Sequence, residues 1–375
     1  MKECAVLLAV FSAFTVSINL QAQPLVSIET VSVGDPGNAA DTRTNTGSFG
    51  RGAVPYKYRI GKYEVTISQY TAFLNSVART NTNSVVIPFD PNEYILHLWK
   101  PHLTNNLNIA GISRDGSGTQ ADPYRYAVIG SGNRPITHVS WFDAARFCNW
   151  LHNGATNGAS TETGAYTLNG ATAGIIAKNA EATWWIPSEN EWYKAAYYKG
   201  GWTNTGYWLY PTQSDADLGN TIGGAANQAN IYVNKYAVTQ SASYSSSQNY
   251  LTDAGAFSNS ASAYGTFDQG GNVYEWNDAV IGSSRGIRGG SWRPGPFNIT
   301  TTPQSIGFSS GTPEGFFDEL GFRVATAPPP ITNVILSVEK TTNLSGQWQF
   351  DSEINAGPMT NTNEFYRLKI RTVVE

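Results

Sequence analysis

The residues best equipped for chemistry lie between Gly265 and Trp292, in GTFDQGGNVYEWNDAVIGSSRGIRGGSW. Two glycine pairs, Gly270-Gly271 and Gly289-Gly290, stand here among Asp268, Glu275, Trp276, Arg285, Arg288 and Trp292. Glycine lets the backbone take positive φ or approach another group closely. Glu275 is flanked by Tyr274 and Trp276, and a carboxylate buried among such neighbours needs a partner. A cation or a ring of backbone N–H groups would serve. Arg285, Arg288 and Arg293, with Trp276 and Trp292, make a candidate recognition surface. Indole faces stack on sugar rings or pack against peptide, and guanidinium groups grip carboxylates. A structural role competes for Arg288 and Arg323, which would then pair with core carboxylates such as Glu64 or Glu191.

Elsewhere the chemical inventory is thin. His97 and His102 lie five residues apart in a loop with no third ligand nearby, which reads as a pair of surface histidines. The two cysteines are Cys4 and Cys148. Cys4 falls in an N-terminal signal, so a mature chain keeps only Cys148 and has neither an intrachain disulfide nor a cysteine metal site. Cys148 sits on a helical pattern among aromatics and is expected to be buried and inert.

Charged residues make up 14% of the 375, well below the usual ~25%. Asn, Ser, Thr, Gly and Tyr supply the polarity instead, which suits an extracellular, loop-rich fold with a sugar- or peptide-facing cleft. A net charge of −4 leaves no basic footprint for nucleic acid. Lys2, an apolar run from Ala5 to Phe14 and the closing Leu20-Gln21-Ala22 read as a secretory signal over residues 1–22. The run is short for an anchor, since a span needs ~20 apolar residues, and no later segment qualifies. The expected location is secreted, periplasmic or cell-surface.

The elements that must position these residues are short. VPYKYRIGKYEV, Val54–Val65, alternates like a strand. Three helices follow at intervals, each opened by a capping pair three residues apart: Thr66 with Gln69, Ser140 with Asp143, and Ser188 with Glu191. A short strand is expected at Ala165–Leu168. Residues 80–132, 201–249 and 281–321 read as long loops, which in a compact domain are often functional. Gly321–Val324 reads as a closing strand. The pattern is α+β with little regular structure. Ala327-Pro328-Pro329-Pro330 is a stiff linker. Beyond it, residues 331–375 carry two strand patterns, a small β module or a sorting segment resembling the ends of secreted bacterial proteins.

Five motifs in fixed order resemble the formylglycine-generating-enzyme, or sulfatase-modifying-factor, family. They are GKYEVTISQYTAFLN (Gly61–Asn75), RPITHVSWFDAARFCNWL (Arg134–Leu151), WWIPSENEWYKAA (Trp184–Ala196), GTFDQGGNVYEW (Gly265–Trp276) and RGGSW with GFRVA (Arg288–Trp292, Gly321–Ala325). The resemblance covers most of a domain over residues 23–326 and implies a C-type-lectin-like α+β fold. The family's enzymes oxidise a sulfatase cysteine to formylglycine with oxygen and a copper ion held by two cysteines. By count those positions are Pro294 and Ile299 here. Copper(I) wants soft sulfur, so copper is not expected. Ser291 keeps the family's serine, but without a base or metal it makes no nucleophile.

The resemblance also implies calcium. Matched onto this chain, the ligands are the side chains of Asp268 and Glu275 with the carbonyls of Gly271 and Val273, an oxygen mixture that calcium accepts. The metal-free alternative has Asp268 capping N–H groups and Glu275 paired to an arginine such as Arg288. A second, weaker site would involve Asn230 and Ile231, whose acidic partner is missing unless Asp253 serves. Trp276, Ser291, Trp292 and Arg293 line the implied cleft. The expectation is therefore a secreted, non-catalytic pseudoenzyme that binds an extracellular peptide, protein or glycan on a calcium-held scaffold. One alternative is an oxygen-dependent oxidoreductase with a different metal arrangement recruiting His138 or the His97/His102 pair. The other is a part of a cell-surface assembly attached through the C-terminal segment.

Overall fold

A computed structural model describes residues 24–43, 50–80, 98–202, 204–294, 309–328, 333–341, 349–351 and 365–373. The residues read as a secretory signal, His97 and Ile299 lie outside the described residues.

The three capped helices form where their capping pairs stand. They are α1 (Ile67–Val77), α3 (Trp141–His152) and α4 (Glu189–Tyr197), with the single turn α2 (His102–Asn105) between the first two. In each long helix the cap hydroxyl accepts the N3 N–H, and the N3 side chain accepts the cap N–H, at 2.7–3.3 Å. Two otherwise orphaned donors are satisfied at each helix start. α3 is buried along nearly its whole length. Its Phe147 and Trp150 pack with Tyr70 and Phe73 of α1 and with Phe322, at ring separations of 5.3–6.1 Å. Cys148 is fully buried in this core, and burial pushes its thiol pKa well up.

Two four-stranded sheets flank the helices. One has the order β1 (Thr30–Val33), β2 (Tyr58–Gly61), β10 (Ala325–Thr326), β5 (Trp184–Trp185), all antiparallel. The other runs β8 (Ser309–Gly311), β7 (Ser284–Arg288), β6 (Tyr274–Ile281), β9 (Leu320–Phe322), with β6 and β9 parallel. The chain passes from the second sheet to the first between β9 and β10, so Arg323 stands where the sheets join.

Two regions read as loop hold regular structure. The 80–132 segment contains α2 and the hairpin β3 (Ile112–Asp115) and β4 (Arg125–Val128). The 281–321 segment contains β7 and β8. These strands are only three to five residues long and rich in Ser, Gly and Arg, so cross-strand pairing defines them where alternation does not. Ala165–Leu168 forms only an isolated Tyr166–Lys178 bridge. At the C-terminal end, β11 (Asn333–Thr341), β12 (Gln349–Asp351) and β13 (Phe365–Val373) make an antiparallel sheet in the order β12-β11-β13. No helix among the described residues is long and apolar enough to cross a membrane.

Candidate functional site

The sheet junction gathers three carboxylates around one guanidinium. Glu275, on β6, is fully buried. Arg323 grips it in bidentate fashion, Nε to Oε2 and Nη2 to Oε1, both at 2.6 Å, and Trp192 Nε1 donates to Oε2 at 2.7 Å. The remaining N–H groups of Arg323 reach the carbonyls of Gly61, Lys62 and Phe267 at 2.9–3.4 Å. A guanidinium has five donors, and all five are committed. Arg288 is likewise buried and pairs with Glu189 (Nε to Oε1, 2.8 Å). Both arginines are structural, but their partners are Glu275 and Glu189. Glu191 instead closes the α4 cap and accepts from Tyr56 and Trp185, and Arg285 pairs with Asp278 at 2.6 Å.

The other two acids are poorly served. Glu64, just past β2, is 2% exposed, and neither carboxylate oxygen has a hydrogen-bond partner. Burial pushes its pKa well above the usual carboxylate range, and the charge of Asp268 adds to this against the attraction of Arg323. Asp268 sits at φ +60° and accepts the Gly255 N–H at 2.7 Å. Burial pushes its pKa up to about 6 against that hydrogen bond and Arg323, with Glu275 raising it further.

Of the calcium ligands implied by the resemblance, Asp268 and Glu275 both lie beside Arg323. Both oxygens of Glu275 are engaged by Arg323 and Trp192, so this carboxylate does not fit a metal cage as arranged. Gly271 is needed for close approach: at φ +93°, an added Cβ would lie 2.5 Å from the Asn230 carbonyl. Asn230 clasps the same turn, its carbonyl accepting from Asn272 N and its amide donating to Asn272 Oδ1 and the Tyr250 carbonyl. The Ile231 carbonyl accepts from Asn220. Among the described residues no three His, Cys, Asp or Glu side chains form a group able to hold a metal.

Of the four implied cleft residues, only Arg293 is exposed. Trp276 is fully buried with Nε1 on the Val139 carbonyl at 2.9 Å, so it has no free face for a ligand. Ser291 is 8% exposed and its hydroxyl accepts the Arg293 N–H. Trp292 is 1% exposed because Tyr250 covers its face, with centroids 4.8 Å apart and planes within 7°. Tyr244 stacks next on Tyr250 at 5.9 Å and is half exposed, so an aromatic column runs from the buried Trp292 to the surface. Arg293 lies over Trp292 and pairs with Glu319 at 3.2 Å.

Beside Arg293 lies a corner the motif reading did not assemble. His138 is 5% exposed and held at φ +58°, with its ring 4.2 Å from that of His102 and Nδ1 3.3 Å from Asp318 Oδ1. Neither ring nitrogen has a well-formed hydrogen bond. Burial, aided by His102 and Lys100 and opposed by Asp318, lowers its pKa to about 4. The only sequence signals were His138 directly before a helix cap and His102 within a proline-broken loop. Their meeting depends on α2 docking beside the Thr137–Ser140 segment.

The sulfatase-modifying factor enzyme 1-like domain matches residues 27–328. Among solved structures, CarF aligns at 19% identity over 80% of this chain and 99% of its own, with a TM-score of 0.44. Variable protein 1 of Treponema denticola aligns at 18% identity over 81% and 96%, with a TM-score of 0.45. PvdO from Pseudomonas aeruginosa aligns at 16% over 80% and 92%, with a TM-score of 0.39. No curated protein matches the chain. The α+β architecture of capped helices, small sheets and long loops is the C-type-lectin-like fold, and the chain belongs to the sulfatase-modifying-factor, or formylglycine-generating-enzyme, family.

Proposed function

We propose that this chain is a secreted, non-catalytic family member that binds an extracellular peptide, protein or glycan at the surface beside Arg293. The observation that carries this reading is the loss of thiolates at the family's copper position. Pro294 stands at one of the two cysteine positions and Ile299 at the other, and Cys148 is fully buried in the helical core. Copper(I) has no soft donor to bind there. What remains accessible is recognition chemistry. The exposed Tyr244 ends the aromatic column, and the Arg293 guanidinium, 40% exposed, faces solvent above Asp318 and Glu319. An aromatic face next to charged groups suits a sugar ring or an extended peptide. The calcium ion implied by the family belongs to this reading as a scaffold element, with no step of recognition assigned to it.

Two measurements test the proposal. Incubation with copper, oxygen and a cysteine-bearing sulfatase peptide should give no formylglycine by mass spectrometry; turnover would overturn the reading. Screening of the mature chain on glycan and peptide arrays should give binding that Tyr244→Ala and Arg293→Ala each weaken by about tenfold or more, the loss of one hot-spot contact.

A further inference from the structure

A cavity of about 380 Å³ lies where residues 39–43 meet the loop that follows α4. Its size falls within the ~300–1,000 Å³ of small-ligand sites. The loop is anchored at its base, where Tyr198 bridges to Tyr207 and the Lys199 N–H donates to the Gly206 carbonyl at 3.0 Å. Tyr207 Oη donates to the Ala39 carbonyl at 2.8 Å and so ties the loop to the opposite wall. Arg43, Lys199, Thr42 and Asn204 line the space together with Tyr198 and Tyr207. The acid in the lining, Asp41, is 2% exposed and committed: it accepts from Arg43 at 2.8–3.3 Å and from Tyr193 Oη at 2.7 Å. The Lys199 ammonium is not committed in this way. It stands 4.2 Å from the centre of the Trp208 ring, its side chain is 32% exposed, and it makes no hydrogen bond among the described residues. Its ion-pair partner Asp215 is 4.0 Å away, beyond hydrogen-bond reach, and does not line the cavity. Trp202 stands on the same loop, 79% exposed, with its carbonyl accepting from Tyr198 Oη. Among the described residues no other ring packs on its indole.

We propose that this cavity binds an acidic sugar, a pyranose carrying a carboxylate, with Lys199 pairing the carboxylate and Trp202 stacking on the ring. A carboxylate supplies the acceptor that the ammonium lacks, and Arg43 beside it adds positive charge. The Thr42 hydroxyl and the Asn204 amide each donate and accept, as sugar hydroxyls do. The indole and the two phenol rings match the apolar C–H face of a pyranose. An extended peptide would call for an unpaired sheet edge or a helix groove, whereas both walls here are loops. The site shares no residue with the surface beside Arg293 and stands independently of the function proposed for that surface.

The purified chain is titrated by calorimetry with trigalacturonate and with its methyl ester, which keeps the rings and hydroxyls but removes the charge. The wild type is expected to bind the acid at least about tenfold more tightly than the ester, and to lose that preference as salt screens the charges. Lys199→Gln should weaken the acid by about tenfold or more and leave the ester unchanged, whereas Trp202→Ala should weaken both, each change removing one hot-spot contact. Arg293→Ala should leave both affinities at the wild-type level. No binding of trigalacturonate by the wild type, equal affinity for acid and ester, or binding unaffected by Lys199→Gln overturns the site. Where a variant unfolds early, a crystal of the wild type with trigalacturonate decides. A carboxylate within hydrogen-bond distance of Lys199 Nζ supports the assignment, and a sugar seated elsewhere refutes it.

Discussion

Glu275 and Glu64 are both attracted by the Arg323 guanidinium, and only Glu275 is hydrogen-bonded to it. Glu275 receives two N–H groups from Arg323 and one from Trp192, and it is buried without any unsatisfied oxygen. Glu64 is just as deeply placed but has no hydrogen bond. The difference lies in donor geometry. A guanidinium fork matches one carboxylate face to face, and its remaining donors point to the Gly61, Lys62 and Phe267 carbonyls. One charge can attract two acids but can hydrogen-bond only one well. The β6 side of the junction is a closed structural pair, whereas the Glu64 side is buried and unsatisfied.

The largest expected effect comes from breaking the closed side. Arg323→Met strands Glu275 in the core and should cost about 3–5 kcal/mol in urea unfolding, the usual penalty for removing one partner of a buried pair. A loss below about 1 kcal/mol, a level typical of exposed pairs, would show that Glu275 is solvated in solution. The Glu64 side should respond in the opposite direction. At pH 7, Glu64→Gln removes the proton uptake that burying this carboxyl demands, and a gain in stability is expected. Destabilisation by that variant would mean the Glu64 carboxylate has a partner in solution.

Much of the closed side was legible beforehand. The capping pairs at Thr66, Ser140 and Ser188 are local signals and form as read, because a hydroxyl three residues from a carboxylate or amide needs no tertiary help. That Arg288 and Arg323 would be structural also followed from their type, since an arginine near a core motif rarely stays unpaired. Their partners did not follow: Glu189 and Glu275 are 99 and 48 residues away from them. Trp276 and Trp292, read as a ligand platform, are buried by Val139 and Tyr250 respectively, because indole type alone does not tell a core ring from a cleft ring.

Titration sharpens the comparison at smaller amplitude. Asp268 has its folded pKa raised to about 6, above its ordinary 3.8. The folded state therefore holds a proton that the unfolded chain has released, and metal-free stability should rise as pH falls from about 7 toward 4. Asp268→Asn, which tolerates φ +60°, should remove that rise. His138 behaves in reverse. Its folded pKa is lowered to about 4 from 6.5, so the unfolded chain protonates first and stability should fall as pH drops from about 6.5 to 4. His138→Asn keeps the positive-φ backbone and should delete only this second slope. Unfolding measured against pH for the two asparagine variants separates the contributions, and identical profiles for both would refute the assignment.

The smallest effect concerns strain. His138→Gly relieves a left-handed backbone that costs a non-glycine residue about 1 kcal/mol. Its stability at pH 7.5 should stay within about 1 kcal/mol of wild type, the lost His102 contact offsetting the relief. A larger loss would show that the imidazole is held by more than His102 and Asp318.

By itself the sequence determined the α+β class, the three helix starts, the burial of Cys148 and the loss of copper thiolates. Each of these is written in residue type and short spacing. Only the tertiary structure decided which acid Arg323 would satisfy, which would be left without a hydrogen bond, and which aromatic would reach the surface. Those outcomes depend on how β9 and β10 hand one arginine between two sheets, since its five donors are fixed in number and direction before any carboxylate arrives.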